Sequence, residues 1–194
     1  MTRCVGAGPV PAGRKFGCID FGFRNPFAAI WGVLDKEGVL WLTDEHYERN
    51  RPVSYHADHL PRDVYWFADP SGANERDELN RRGLKVAKGI NELRAGIGAV
   101  TARIENGTLK ILEGRCPNLL AEAELYRYSD DPSERHAEIP IDEHNHALAA
   151  LRYLIMGLDR GGYCRPRSSS SPDTPPKPKR PWLRYDNEAL WTTW

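Results

Sequence analysis

An α/β fold with an α+β opening is predicted: a mixed sheet whose first three strands run antiparallel, flanked by helices. Three observations carry that expectation. Apolar and β-branched runs at Lys15 to Phe21, Phe27 to Leu34 and Val39 to Thr43 follow one another across short turns, and consecutive strands so joined make an antiparallel meander. Strand and helix patterns then alternate, which adds strands in parallel through crossover helices. Finally, Val64-Tyr65-Trp66-Phe67-Ala68 is apolar without a break, as in a strand buried on both faces.

Residues 1–14 are rich in Gly, Pro and Ala without periodicity and are expected to be a flexible leader. The first two strands are separated by Gly22 to Pro26, and Leu34-Asp35-Lys36-Glu37-Gly38 turns the second into the third. Tyr55 to Leu60 reads as a helix ended by Pro61, and Asp69-Pro70 stops the buried strand. Asn74 to Arg82 reads as a helix with Gly83 as its stop, followed by a strand at Leu84 to Ala87 and a helix from Ile90 to Ile104. Glu105-Asn106-Gly107-Thr108 is expected to be a hairpin turn into Leu109 to Leu112. Pro117 opens an amphipathic helix through Tyr126, and a final helix covers Asn145 to Leu158.

Residues 15–160 are therefore expected to be the folded domain, and 161–194 a disordered Ser-, Pro- and Lys/Arg-rich tail with a tryptophan-rich end (Trp182, Trp191, Trp194). The length of 194 residues suits one domain of ordinary size plus tails. Lys+Arg and Asp+Glu both number 27, so overall charge neither demands nor forbids nucleic acid and local distribution decides. Cys4, Cys18, Cys116 and Cys164 form no C-x-x-C pair, which spells out neither a zinc ribbon nor a redox motif. No apolar run approaches the roughly 20 residues a bilayer requires, and 1–15 lacks a signal-peptide core. A cytoplasmic chain without membrane partners is expected.

The chemistry is expected from the acids. Asp20 in Ile19-Asp20-Phe21-Gly22 lies inside an apolar strand, where an unpaired carboxylate is costly and needs a cation or donors. The plainer alternative is a carboxylate bonded to backbone amides at the strand end. Asp69 follows the buried strand directly, at the edge where sites on sheets gather; its alternative is a helix cap beside Pro70. Ile141-Asp142-Glu143-His144-Asn145-His146 crowds acids, an amide and imidazoles at a helix start, with capping by Asp142 as the alternative. Acids brought together repel unless a divalent cation supplies charge, and oxygen-rich ligation selects Mg²⁺ or Mn²⁺. Two such ions, about 3.5–4 Å apart, would activate water and stabilise the leaving oxygen of a phosphodiester.

These residues, in this order, resemble a known family. Ile19-Asp20-Phe21-Gly22-Phe23-Arg24-Asn25-Pro26 with Ala28, then Phe67-Ala68-Asp69-Pro70, then Cys116-Pro117-Asn118-Leu119-Leu120 and Glu124-Leu125-Tyr126, then Asn145-His146-Ala147-Leu148-Ala149-Ala150-Leu151-Arg152-Tyr153 are similar to the nuclease domain of phage terminase large subunits. The resemblance spans Phe16 to Leu158. It implies a ribonuclease H-like fold that cuts double-stranded DNA with two Mg²⁺ or Mn²⁺ ions during viral genome packaging, in the host cytoplasm. The ligands it implies are Asp20, Asp69 and an acidic or His position at the last helix. There the family pattern Asp-His-Ala-x-Asp-Ala-x-Arg-Tyr meets Asn145 and Ala149 in place of its two acids. Asp142 and His146 together are the preferred completion, with Glu143, His144 and Asn145 as alternatives.

The family's ATPase motif, G-x-x-x-x-G-K-[ST], is missing; Gly8 to Lys15 imitates it poorly, because its prolines remove amide donors and no Ser or Thr follows. A separate terminase ATPase, the small terminase subunit or the portal are the expected partners, and a split gene product, fragment or relic the expected origin. Arg24, Arg103, Arg115 and Arg152 are candidate DNA-backbone contacts whose alternative is the surface ion pair. A catalytically inactive DNA- or motor-binding module is the second reading, made credible by Asn145 and Ala149. Actin-like and sugar-kinase folds share an opening Asp-x-Gly but need a second similar half. Resolvases and transposases would share the two early acids without the Ala147 to Tyr153 pattern.

Overall fold

The computed structural model describes residues 5–6, 8–125 and 145–164. Its strands are β1 (Val5–Gly6), β2 (Arg14–Asp20), β3 (Phe27–Leu34), β4 (Leu40–Glu48), β5 (Tyr65–Ala68), β6 (Lys85–Lys88) and β7 (Leu109–Leu112). Its helices are α1 (Val53–His59), α2 (Ala73–Arg81), α3 (Leu93–Glu105), α4 (Pro117–Leu125) and α5 (His146–Arg160). One seven-stranded sheet runs in the order β1-β7-β4-β3-β2-β5-β6. β2, β3 and β4 are the antiparallel meander, and β5, β6 and β7 add in parallel on its two sides. None of the described helices is long and apolar enough to cross a membrane.

Strand alternation sorts the apolar residues into two cores. Phe16, Cys18, Ala28, Ile30, Leu40 and Leu42 face α5 and α4, whereas Ile19, Phe27, Ala29, Trp66 and Ala68 pack on the opposite side with Leu79 of α2 and Ala57 of α1. Position 20 continues the Phe16–Cys18 series, so alternation assigns Asp20 to the α5 face. Every residue from Ala147 to Ile155 is buried, as expected of a helix enclosed by the sheet on one side and by α3 and α4 on the others. Close approach demands Gly157: a Cβ there would come within 2.7 Å of the Phe67 ring.

Three differences from the sequence expectation have physical causes. Val5–Gly6, within the stretch expected as a leader, pair in parallel with Ile111–Leu112; such a strand exists only through a non-local partner. β4 runs on to Glu48 because β3 supplies partners along its whole length, Phe27 opposite Glu48. Asn106 and Gly107 close α3 rather than a hairpin: their amides donate to Ala102 and Ile104 carbonyls, and Gly107 takes the left-handed φ of 68° usual after a helix end. The expected extension of α4 to Tyr126 and all of the tail from 165 lie outside the described residues. Before that point Tyr163 packs on Phe16 at a ring distance of 4.9 Å.

On the α1 side, a buried imidazole sets a pH limit. His56 stacks on Phe27 with ring centroids 3.8 Å apart, its Nε2 lies 3.2 Å from the Arg51 carbonyl and its Nδ1 lies 2.8 Å from His46 Nε2. A carbonyl only accepts, so His56 carries its proton on Nε2 and takes the His46 N–H at Nδ1. Burial, then the charge of His46, pushes His56 down to about 4. A depressed basic pKa means the unfolded chain binds the extra proton first, so stability is complete above the ordinary value of 6.5 and falls as pH drops towards 4. Thermal melts across that window should show a steeper acid loss for the unaltered chain than for His56→Gln; parallel curves would remove His56 as the cause.

Candidate metal centre

β2 and β5 run in parallel with Ile19 opposite Ala68, so the next residue of each, Asp20 and Asp69, lies at the same C-terminal edge. The Asp69 amide continues the ladder by donating to the Ile19 carbonyl at 2.9 Å. Asp20 is only 8% exposed. Its Oδ2 accepts a hydrogen bond from Nδ1 of His146, the first residue of α5, at 3.0 Å. Two sequence-predicted groups separated by 126 positions therefore meet. Asp142, with Glu143 and His144, lies outside the described residues.

Electrostatics at this edge favour a cation. Burial raises the Asp20 pKa; the His146 hydrogen bond opposes that shift, and the neighbouring Asp69 charge adds to it. His146 is raised in turn, first by its bond to Asp20. Arg152 of α5 acts on Asp20 in the stabilising direction. Its guanidinium is buried with Nη1 unpartnered, and its stem passes over Gly96 of α3, where an added Cβ would come within 3.3 Å of it. Asp69 already accepts bonds from the Ser71 amide (3.0 Å) and hydroxyl (2.6 Å), forming the turn that leads into α2. Gly72, not Asp69, is the N-cap of α2.

Carboxylate oxygens with one imidazole nitrogen suit a hard divalent ion, and the disfavoured charge on Asp20 gives such an ion something to stabilise. Asp20 and His146 would hold it, with Asp69 beside them. Among the described residues, no group of three or more His, Cys, Asp and Glu side chains could hold a metal ion. The two positions where the family pattern carries acids are Asn145, which forms the N-cap of α5, and the buried Ala149.

Glu122 is the functional neighbour that sequence reasoning missed. It is 4% exposed on α4, its Oε1 accepts from the Tyr47 hydroxyl at 2.8 Å, and its Oε2 accepts from the Leu148 amide at 3.0 Å. Leu148 is the third residue of α5, where amides lack intrahelical partners; Glu122 thus caps the helix that carries His146, and its charge also raises His146. The bond to Glu122, after burial, raises the Tyr47 pKa. The available signal was an acid three residues after Leu119 on one helix face, both buried. Of the candidate DNA-contacting arginines, Arg103 is buried against Asp159 at 2.6 Å and Arg115 pairs with Asp44 at 3.5 Å. Both are ion pairs within the fold, whereas Arg24 is exposed.

Comparison with known proteins places this geometry. Residues 17–158 match the family model described as the terminase RNaseH-like domain. Among solved structures, the fold is similar to the full large terminase of a thermophilic bacteriophage, with a TM-score of 0.70 and 20% identity over 79% of this chain and 41% of that one. It is similar to the P22 large terminase nuclease domain (TM-score 0.67, 16% identity, 81% of this chain and 89% of that one). It is also similar to the nuclease domain of the bacteriophage SPP1 large terminase, crystallised with bound Mn (TM-score 0.60, 20% identity, 81% and 95%). The chain spans about two fifths of the length of the thermophilic phage's protein. No curated protein matches it.

Proposed function

Because this chain belongs to the terminase RNaseH-like domain family, we propose that it is a metal-dependent endonuclease that hydrolyses phosphodiesters of double-stranded DNA, as in viral genome packaging. The single observation that carries the reading is Asp20. It is a buried carboxylate at the end of β2, beside Asp69, held at 3.0 Å by His146 across 126 positions. Residues 15–160 are the nuclease domain on this reading. Double-stranded DNA is the substrate, and a terminase ATPase, the small terminase subunit or the portal are the partners.

When bound, a pair of Mg²⁺ or Mn²⁺ ions supplies water activation and charge neutralisation at the leaving oxygen. Asp20 and Asp69 provide oxygen donors from adjacent strand ends, and Asp142 is the third acid in this reading. Imidazole Nδ1 of His146 donates to Asp20 and fixes its carboxylate orientation. Glu122 holds the start of α5 in place through Leu148, and Arg152 offsets the negative charge that accumulates at the strand ends. No side chain is needed as nucleophile.

Calorimetric titration with Mn²⁺ tests the site without relying on turnover. The unaltered chain is expected to bind Mn²⁺, and Asp20→Asn to weaken binding by about tenfold or more, since even outer-shell changes cost 10–100-fold. Equal affinity in the two would remove Asp20 from the site. An inactive DNA- or motor-binding module is the second reading, favoured by Asn145 and Ala149 standing where the family pattern has acids; it predicts DNA or partner binding without cleavage.

A further inference from the structure

We propose that the loop between β2 and β3 and the turn after β4 form one surface on which the DNA duplex lies. Phe23 is set against the minor-groove edge, and Arg24 and Arg49 on phosphates. This rests on the endonuclease reading and extends it by naming the residues that bring substrate to Asp20.

The two segments are one structural unit. Asp20 pairs with Ala28 and Ala28 with Tyr47, so residues 21–26 and the turn beginning at Arg49 leave the same end of the sheet, next to Asp20. They are tied together where the Asn50 amide donates to the Phe23 carbonyl at 2.8 Å. Asn50 takes a left-handed φ of 57°, a conformation that Asn tolerates better than most residues. The tie fixes the backbone carrying Phe23 and Arg24 relative to that carrying Arg49.

Three observations point to a nucleic-acid partner. Phe23 is 59% exposed, the one aromatic among the large exposed hydrophobic side chains of the described residues. An apolar ring left in water beside an active-site edge is the kind of side chain that proteins lay into the minor groove. Arg24 and Arg49 are exposed on either side of the tie, and Arg49 is near enough to His146 and Tyr47 to act on both electrostatically. Glu48, the acid in this turn, is already engaged by Arg51 at 3.6 Å and by the Tyr55 hydroxyl at 3.1 Å. In a chain with zero formal charge, attraction to a polyanion has to come from such a local patch.

The test is fluorescence anisotropy of a labelled DNA duplex with the full chain in EDTA, where nothing is cut, over a series of KCl concentrations. Arg24→Ala combined with Arg49→Ala is expected to weaken binding and to flatten the plot of log K against log salt by about 1.8, at about 0.9 per phosphate contact. Phe23→Ala is expected to weaken binding about fivefold or more at every salt concentration without changing the slope, and Phe23→Trp to restore it. Lys85→Ala, at the opposite end of the sheet, is the control and is expected to change neither. Binding by the arginine and Phe23 variants equal to that of the unaltered chain, no binding by the unaltered chain, or an equal loss in Lys85→Ala would each overturn the proposal. The Mn²⁺ titration, which needs no DNA, reports separately on the metal site, so a failure here is distinguishable from a failure of the endonuclease reading.

Discussion

Asp20→Asn is expected to slow DNA cleavage by about a thousandfold or more, roughly 4 kcal/mol of transition-state stabilisation at 1.36 kcal/mol per decade. Its thermal stability should be no lower than that of the parent. The two halves of that expectation come from the same environment. Burial and the neighbouring Asp69 disfavour the Asp20 charge in the folded chain, so a neutral, nearly isosteric amide removes an unfavourable term, while its oxygen still accepts the His146 N–H. What the amide lacks is the charge and the second oxygen that a divalent ion requires. Single-turnover cleavage and melting curves on the same preparations check both halves. A variant that cuts at the parental rate would place the chemistry elsewhere.

The second large effect is structural. Glu122→Ala is expected to destabilise the domain by about 2–4 kcal/mol, because it strips the charged acceptor from the Leu148 amide at the start of α5 and leaves the Tyr47 hydroxyl without its partner. Glu122→Gln retains one oxygen and should cost about half as much, in line with the weaker hydrogen bonds of a neutral acceptor. Urea unfolding is the measurement: the midpoint should fall with an unchanged slope. An unchanged midpoint in Glu122→Ala would show that α5 starts without this cap. Because His146 sits two positions before Leu148, loosening the helix start should also loosen the Asp20–His146 pair.

Most of the sheet was legible because its strands announce themselves locally. β2, β3 and the start of β4 are apolar runs punctuated by Gly, Pro and Asp, and β5 is an unbroken apolar segment ending at Asp69. What escaped depends on non-local partners. β1 is two residues in a Gly- and Pro-rich stretch, paired only because β7 passes alongside. Asn106-Gly107 reads as a hairpin from its dipeptide, and becomes a helix end only because Leu93–Glu105 is helical. In the site, Asp20 was conspicuous as an acid within an apolar strand, and His146 through the family pattern. Glu122 was not, since a glutamate on a helix is usually solvated and nothing local shows that Tyr47 and Leu148 arrive from 75 and 26 positions away. Arg49 carries no motif either; its place beside His146 follows from the length of β4, which extends past the expected end at Thr43.

The central claim is that the Asp20 edge is a working metal-dependent nuclease, and supercoiled plasmid cleavage by the purified chain tests it most directly. Reactions in Mn²⁺ or Mg²⁺ are run beside EDTA and beside Asp20→Asn purified identically, so that contaminating nuclease is visible. Nicking and linearisation that require both the ion and Asp20 are the predicted result. A folded chain that binds DNA and leaves it intact in both metals would contradict the claim and establish the inactive module in its place.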